Sequence, residues 1–273
     1  MNIKDLENKI INDDCLNILY QLPDKCIDTI ICDLPYGETA NEEDVIIPLD
    51  ELWQYYKRII KDNGAIVLFA QGLFYVDLVN SNRDWYRYDL VWDKILTSGF
   101  LSANKKPLRV HEQIAIFYKI MPIYNPQMRK GEPLHSKGRS YLSKNPKNQN
   151  YGTFYQTKDL RKGETEKYPT SIITCQKPHP SIAKHRTEKP IELLEYLIKT
   201  YSNEGDLILD NCSGSGSLAV ACHNLNRRFI CIEKDYDYWK ASVERLENAK
   251  SQLNLFTNIE QPKEERAEQA KLF

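Results

Sequence analysis

The sequence lacks the features that mark membrane and disulfide-stabilised proteins. No apolar run in its 273 residues approaches the roughly 18 residues that a membrane span needs, and no signal-peptide pattern opens the chain. The seven cysteines are scattered, odd in number and free of any C-x-x-C pair. The sequence therefore predicts reduced thiols in a cytoplasmic protein, with no membrane association and no metal site.

Basic and acidic residues are nearly equal in number over the whole chain, but they are unevenly distributed along it. Residues 121–183 hold 11 Lys and Arg against 4 Asp and Glu, a local balance of +7, so the rest of the chain carries −8. Six tyrosine and phenylalanine residues are interleaved with these basic residues, which argues against plain disorder. The segment is either a surface that meets a polyanion or a solvated basic loop.

Short apolar runs alternate with helix-patterned stretches, which is typical of an α/β fold with a mostly parallel sheet. We predict a globular domain from residues 1–119 and 184–250, an irregular insert over 120–183 and a flexible, polar tail over 251–273. Seven strands are predicted: Lys9–Asn12, Asp28–Cys32, Ala65–Phe69, Tyr88–Trp92, Gln113–Tyr118, Asp206–Asp210 and Arg228–Ile232.

A glycine turn follows the predicted strand that ends at Asp210. Gly214 and Gly216 let the backbone approach a ligand closely, and Glu233 at the end of the next strand can bind ribose hydroxyls. With Ala219 the turn matches the dinucleotide pattern G-x-G-x-x-A, so a nicotinamide enzyme is one alternative. However, the acid at the strand tip would repel a pyrophosphate, and it suits a ligand with an ammonium group such as S-adenosylmethionine.

A second strand ends in the sequence IDTIICDLPYG, residues 27–37. Asp33-Leu34-Pro35-Tyr36 matches three of the four positions of the tetrapeptide Asp/Asn/Ser-Pro-Pro-Tyr/Phe/Trp, and Leu34 replaces a proline. The tetrapeptide comes first, the basic insert follows and the glycine turn comes last. In this order the chain resembles the permuted-order (β-type) amino-methylating DNA methyltransferases, in their adenine-specific (N6) branch.

The resemblance implies the class I S-adenosylmethionine-dependent methyltransferase fold, in which the strand Gln113–Tyr118 runs antiparallel. Asp33 and the Leu34 carbonyl would accept hydrogen bonds from the target amine, Pro35 would fix the turn and Tyr36 would stack on a base flipped out of the duplex. Taken without the other motifs, Asp33 also fits a helix cap, and Tyr36 also fits an aromatic residue at the edge of the core. His111 and Glu112, at the start of the antiparallel strand, fit a structural role equally well.

The resemblance also implies the ligand-binding residues. S-adenosylmethionine would contact eight positions: Asp14, Thr187, Lys189, Asp210, Cys212, Gly214, Gly216 and Glu233. Of these, Thr187 and Lys189 would lie near the carboxylate of the cofactor. Cys212 fits a small packed residue better than a nucleophile. The insert would recognise double-stranded DNA through six candidates, Arg129, Lys130, Arg139, Lys144, Arg161 and Lys162.

The sequence favours a bacterial or phage-encoded, site-specific DNA adenine-N6 methyltransferase, because a leading Asp in the tetrapeptide mostly accompanies adenine. Cytosine-N4 methylation, protein-glutamine methylation and a catalytically weak DNA-binding adaptor remain alternatives, and a homodimer is possible. Gln252–Phe256 and Gln269–Phe273 both read Q-x-x-L-F, and the first resembles the peptide that binds the bacterial sliding clamp. Either could attach the enzyme to a clamp.

Overall fold

A computed structural model describes residues 2–37, 45–133, 147–148, 152–153, 163–177 and 188–259. It divides into two compact units, of which the first comprises Met1–Asn125 and Ser171–Phe273 and the second comprises Pro126–Thr170. The second unit falls inside the insert predicted over residues 120–183.

Helices and strands alternate along most of the first unit. Its strands are β1 (Lys9–Asn12), β2 (Ile27–Asp33), β3 (Ile60–Ala70), β4 (Tyr86–Ser98), β5 (Arg109–Phe117), β10 (Ile172–Thr174), β11 (Leu207–Asp210) and β12 (Arg228–Glu233). Its helices are α1 (Cys15–Gln21), α2 (Leu49–Ile59), α3 (Gly72–Ser81), α4 (Ile191–Tyr201), α5 (Ser217–Asn224) and α6 (Tyr236–Ile259). The described residues of the second unit include four two-residue strands, β6 (Arg129–Lys130), β7 (Lys147–Asn148), β8 (Gly152–Thr153) and β9 (Glu166–Lys167).

The strands of the first unit form one sheet in the order β1-β12-β11-β2-β3-β5-β4-β10. The five strands from β1 to β3 in that order are parallel, and β5 pairs antiparallel with both β3 and β4. This confirms the predicted antiparallel strand. It also means that β4 runs in the same direction as β2 and β3, so these three strands end at the same edge.

Apolar residues cover both faces of the sheet, as expected for parallel strands buried between helices. On one face α1, α2 and α3 pack their buried stripes, of which Leu52, Trp53, Tyr56 and Ile59 of α2 recur at helical spacing. On the other face α4, α5 and α6 supply Leu197, Leu218 and Leu246, among others. The result is a three-layer α/β sandwich.

Two predicted boundaries differ from the structure. The sheet has eight strands rather than seven, because Ile172–Thr174 pairs in parallel with β4 at the sheet edge. This strand belongs to the first unit although the sequence predicts it as part of the insert. Helix α6 continues to Ile259, past residue 250 where the flexible tail is predicted to begin. No glycine or proline interrupts the sequence between Tyr236 and Pro262, so nothing in the chain ends the helix earlier.

Candidate active site at the carboxyl edge of the sheet

Three neighbouring parallel strands each end in an acidic residue at the same edge of the sheet. They are β2 with Asp33, β11 with Asp210 and β12 with Glu233. A cleft of about 970 Å³ opens there. Ten of the predicted site residues line it: Asp14, Asp33, Leu34, Pro35, Tyr36, Lys189, Asp210, Cys212, Gly214 and Glu233. The topology therefore brings the tetrapeptide and the glycine turn together although nearly 180 residues separate them in the sequence.

The tetrapeptide is held by contacts on both sides. The Tyr36 hydroxyl donates a hydrogen bond of 2.6 Å to Oδ1 of Asp33, and the Tyr36 ring stacks on Phe74 with ring centroids 5.1 Å apart. Burial, together with the Asp33 charge, raises the pKa of Tyr36 well above its usual value, so its hydroxyl stays a donor. Leu34, where the tetrapeptide pattern has proline, buries its side chain in the core. This anchor can fix the turn in place of the missing proline ring.

A chain of alternating charges extends from Asp33 into the protein. The Lys189 ammonium donates a hydrogen bond to Oδ2 of Asp33 and lies 3.3 Å from Oε2 of Glu112. Oε1 of Glu112 accepts a hydrogen bond of 3.1 Å from Lys94. Burial opposes ionisation, but the opposite charges outweigh it: the pKa of Lys189 is raised and that of Glu112 is lowered. Both groups are therefore charged near neutral pH.

The Lys189 ammonium also lies over two aromatic rings. Its Nζ is 5.0 Å from the ring centroid of Phe69 and 5.9 Å from that of Trp92. Such cation–π contacts stabilise a desolvated ammonium group by about 2 kcal/mol. They fix Lys189 beside Asp33, whereas the resemblance implied that Lys189 lies near the carboxylate of the cofactor.

Sequence patterns did not identify the whole charge chain. In the sequence, Glu112 fits a structural role equally well, and neither Lys94 nor Lys177 is marked by a pattern. Lys177 also lines the cleft. Lys94 could have been indicated by its position. It is a charged residue two positions after Trp92, where the predicted apolar strand ends and the side chain is buried. His111 is exposed and does not line the cleft, so of the two residues at the start of β5 only Glu112 is part of the site.

The glycine turn is fixed by the acid on the neighbouring strand. Oε2 of Glu233 accepts a hydrogen bond of 2.7 Å from the Gly214 amide, and Oε1 accepts one of 2.9 Å from the Asp235 amide. Gly216 has φ +71°, and a Cβ there would lie 2.7 Å from Cβ of Ser242 on α6. Glycine is therefore required at this position by both conformation and space. Gly216 packs against α6 within the turn and does not itself line the cleft.

Asp210 is buried directly behind this turn. Its Oδ1 accepts a hydrogen bond of 3.1 Å from the Cys212 amide, and burial raises the pKa of Asp210 to about 7. A carboxyl group with such a pKa is partly protonated at neutral pH. The charge of a ligand bound in the cleft would therefore determine whether Asp210 is ionised.

Asp14 also lines the cleft. It caps helix α1 by accepting a hydrogen bond of 3.0 Å from the Leu16 amide, and its Oδ2 lies 3.0 Å from the Lys234 ammonium. Partial burial acts to raise the pKa of Asp14, but the bonds from Lys234 and Leu16 outweigh it, and the pKa is lowered. Asp14 is an ionised acceptor at the edge of the cleft.

The other predicted residues fall in the second unit, on α6 or outside the described residues. Arg129 and Lys130 are exposed on β6 of the second unit, where Nε of Arg129 donates a hydrogen bond of 3.3 Å to the Tyr168 carbonyl. Thr187, Arg139, Lys144, Arg161 and Lys162 lie outside the described residues, as does Gln269–Phe273. Gln252–Phe256 lies on α6, where the side chains beyond Gln252 are not described.

Membrane-spanning helices and metal-binding clusters are both absent from the described residues. No helix there is both long enough and apolar enough to cross a bilayer. Within the same ranges, no group of three or more His, Cys, Asp or Glu residues is arranged to hold a metal ion.

Comparison with known proteins decides the family. A family model described as DNA methylase, N6_N4_Mtase, matches residues 27–244. The chain belongs to this family. The Type II methyltransferase M.BglII of Bacillus subtilis is 27% identical over 282 residues, covering 92% of this chain and 72% of the relative. M.HinfI of Haemophilus influenzae is 24% identical over 284 residues, covering 93% of this chain and 72% of the relative.

Solved structures of DNA methyltransferases share the fold of this N6/N4 family member. The M1.HpyAVI–SAM complex matches with a TM-score of 0.58 and 22% identity, covering 87% of this chain and 98% of that one. The PvuII DNA methyltransferase, which is cytosine-N4-specific, matches with a TM-score of 0.63 and 14% identity, covering 88% and 90%. The predicted class I methyltransferase fold is confirmed. The protein is a DNA methyltransferase of the N6/N4 family, and the comparisons do not separate adenine from cytosine.

Proposed function

We propose that this methyltransferase transfers a methyl group from S-adenosylmethionine to the exocyclic N6 of an adenine flipped out of double-stranded DNA. The observation that carries the proposal is the position of the Asp33 carboxylate. It faces the same cleft as the glycine turn and is held from two sides by Tyr36 and Lys189. Adenine is preferred because the tetrapeptide begins with Asp.

The cleft has the donor and acceptor groups that this cofactor requires. Its volume of about 970 Å³ suits a ligand of nucleoside size. Glu233 and Asp14 would accept hydrogen bonds from the ribose and adenine groups, and Asp210 would face the positively charged part. When bound, S-adenosylmethionine supplies a methyl group on a sulfonium centre, which needs no metal.

The protein's own groups would activate the amine. The lone pair of an exocyclic amine is delocalised into the base, so the nitrogen is a poor nucleophile. The Asp33 carboxylate and the Leu34 carbonyl would accept its two hydrogens, draw the nitrogen towards tetrahedral geometry and stabilise the positive charge that grows there. Preorganised acceptors of this kind contribute about 3–4 kcal/mol each to comparable transition states.

The aromatic residue of the tetrapeptide would hold the base. Tyr36 is partly exposed towards the cleft while one face of its ring packs on Phe74. A base stacked on such a ring gains about 1–3 kcal/mol. The hydroxyl bond to Asp33 keeps ring and carboxylate in one arrangement, so binding the base also places its amine.

Single-molecule sequencing of DNA from cells with and without this protein tests the assignment. The expected result is 6-methyladenine in one sequence context that disappears when the gene is removed. Modified cytosine in its place would replace the adenine assignment with the cytosine-N4 alternative. An unmodified genome, together with normal DNA binding, would favour the adaptor.

Cofactor affinity is expected to depend on pH through Asp210. Because the pKa of Asp210 is raised to about 7, the group gains a proton as the pH falls through 7 and loses the charge that would face a cationic ligand. The dissociation constant of S-adenosylmethionine should therefore rise by up to about tenfold per pH unit below 7 and stay level above it. Calorimetric titrations from pH 5.5 to 8.5 measure this.

The Asp210→Asn variant is the control for that titration. Its neutral amide should bind the cofactor weakly at every pH, with no slope near 7. A slope that persists in the variant would assign the titration to another group.

Two further roles are proposals from the sequence. The basic insert would contact DNA phosphates and base edges through the six Arg and Lys candidates named above. One Q-x-x-L-F peptide would attach the enzyme to a sliding clamp. A pull-down with purified clamp tests the second role, and binding that survives both deletion of residues 269–273 and substitution of Leu255 and Phe256 would contradict it.

A further inference from the structure

The tip of the hairpin between β4 and β5, residues 95–106, exposes large apolar side chains. Phe100 is 79% exposed and Leu101 is 100% exposed, and Ile95 and Leu96 are exposed beside them. Single exposed apolar residues are ordinary on protein surfaces, but four grouped on one protruding tip indicate a contact surface.

The charge on the tip itself is positive. Residues 95–110 include Lys105, Lys106 and Arg109 and no Asp or Glu. Lys105 and Lys106 are exposed immediately after the apolar residues. An apolar tip flanked by basic groups complements a nucleic acid, in which phosphates surround stacked bases.

The tip projects from the edge of the sheet that carries the active site. Strand β4 runs parallel to β2, so its end lies at the edge where Asp33 lies. The base of the hairpin is part of the charge chain, because Lys94 contacts Glu112, which contacts Lys189, which contacts Asp33. A duplex that delivers a base to Asp33 would therefore meet the tip.

The tip is ordered by its own hydrogen bonds. A 3-10 turn at Phe100–Ser102 places the two most exposed residues, and the Ser102 and Ala103 amides donate bonds of 2.9 and 3.0 Å to the Gly99 and Phe100 carbonyls. Below the turn, Ser98 pairs with Arg109 across the hairpin. Because the turn already holds these side chains in place, inserting them into a partner costs less conformational entropy.

We infer that Phe100 and Leu101 form a wedge that enters the DNA duplex beside the target base and fills the space that the flipped base leaves. This inference rests on the proposed base-flipping function and adds to it the residues that stabilise the flipped state. Apolar side chains inserted between base steps are a known means of unstacking DNA. Lys105, Lys106 and Arg109 would contact the phosphates beside the wedge.

Methyl transfer to two duplexes that contain the mapped recognition site tests the wedge. In one duplex the target base is paired normally, and in the other it faces an abasic site, so that little free energy is needed to flip it. For the variant with both Phe100→Ala and Leu101→Ala, kcat/KM on the paired duplex should fall roughly 10-fold to 100-fold. On the abasic duplex the variant should stay within about 2-fold of the wild type, because the base there flips without help.

The matched control is a variant with Ile120→Ala and Met121→Ala. These residues are also exposed, but they follow the end of β5, at the sheet edge opposite the cleft. This control should match the wild type on both duplexes. Equal losses by the wedge variant on both duplexes, or no loss on either, would overturn the inference.

Two other outcomes are distinguishable from these. A change of sedimentation coefficient caused by the wedge variant alone would assign the tip to an interface between protein copies and overturn the wedge. A wild-type protein that methylates no DNA would remove the proposed function together with the wedge. Methylation of cytosine would change the assigned base but leave the comparison of duplexes intact.

Discussion

An Asp33→Ala variant is expected to bind S-adenosylmethionine with nearly wild-type affinity and to transfer methyl groups at least about 100-fold more slowly. In the proposed mechanism the carboxylate contacts the target amine rather than the cofactor groups near Glu233 and Asp14. Its loss should therefore remove stabilisation of the transition state and leave the cofactor contacts in place. Calorimetry measures the affinity, and single-turnover transfer of labelled methyl to DNA measures the rate.

Two further variants separate the roles within the tetrapeptide. Asp33→Asn keeps the size of the side chain and one acceptor oxygen, and Asn is among the residues that begin this tetrapeptide, so it should lose less activity than Asp33→Ala. Tyr36→Phe keeps the ring and removes only the hydroxyl that donates to Asp33, and should cost less than about 10-fold. An Asp33→Asn variant as slow as Asp33→Ala would contradict the acceptor role of Asp33.

A Lys189→Met variant is expected to lower the free energy of unfolding by about 3–5 kcal/mol, as is usual when one partner of a buried ion pair is removed. Lys189 lies between Asp33 and Glu112, so its loss leaves Asp33 without its ammonium partner, whereas Glu112 keeps its ion pair with Lys94. Methyl transfer should also slow, because Asp33 loses the donor that positions it. Urea denaturation and the transfer rate are the measurements.

Lys199→Met is the matched control, because Lys199 on α4 forms an exposed ion pair with Glu195 at 3.9 Å. That variant should change the unfolding free energy by less than about 1 kcal/mol. Adding Asp33→Asn to Lys189→Met should restore part of the lost stability, since it removes the carboxylate whose ammonium partner is lost and leaves the Lys94–Glu112 pair intact. A double variant no more stable than Lys189→Met would contradict the charge chain.

The same variant distinguishes two roles for Lys189. If Lys189 positions Asp33, as its contacts indicate, cofactor affinity should stay within about 3-fold of wild type, since no charge-assisted bond to the cofactor is lost. If it binds the cofactor's carboxylate, as the family resemblance implied, the dissociation constant should rise more than about 10-fold. One calorimetric titration separates the two.

Residues whose positions follow from the local sequence pattern could be predicted from the sequence. All seven predicted strands are present, since each is a short apolar run bounded by turn residues. Asp33, Asp210 and Glu233 follow such strands directly, so their position at one sheet edge followed from the parallel topology. Local pattern and strand direction together are therefore enough to locate the cleft.

Residues that act across strands could not be predicted in the same way. Lys94 contacts Glu112 only because the register of β4 and β5 places Glu112 opposite Trp92, two residues before Lys94, and no periodicity within either strand indicates it. Strand β10 is three residues long in a segment rich in turn residues, so only pairing with β4 defines it. The buried side chain of Leu34 is likewise a consequence of packing that the tetrapeptide does not indicate.

The most direct test of adenine methylation at Asp33 is mass spectrometry of nucleosides from unmethylated double-stranded DNA incubated with the protein and methyl-labelled S-adenosylmethionine. The label should appear in 6-methyladenine with the wild-type protein and be absent with Asp33→Ala. Label in 4-methylcytosine, or 6-methyladenine formed at the wild-type rate by Asp33→Ala, would contradict the account.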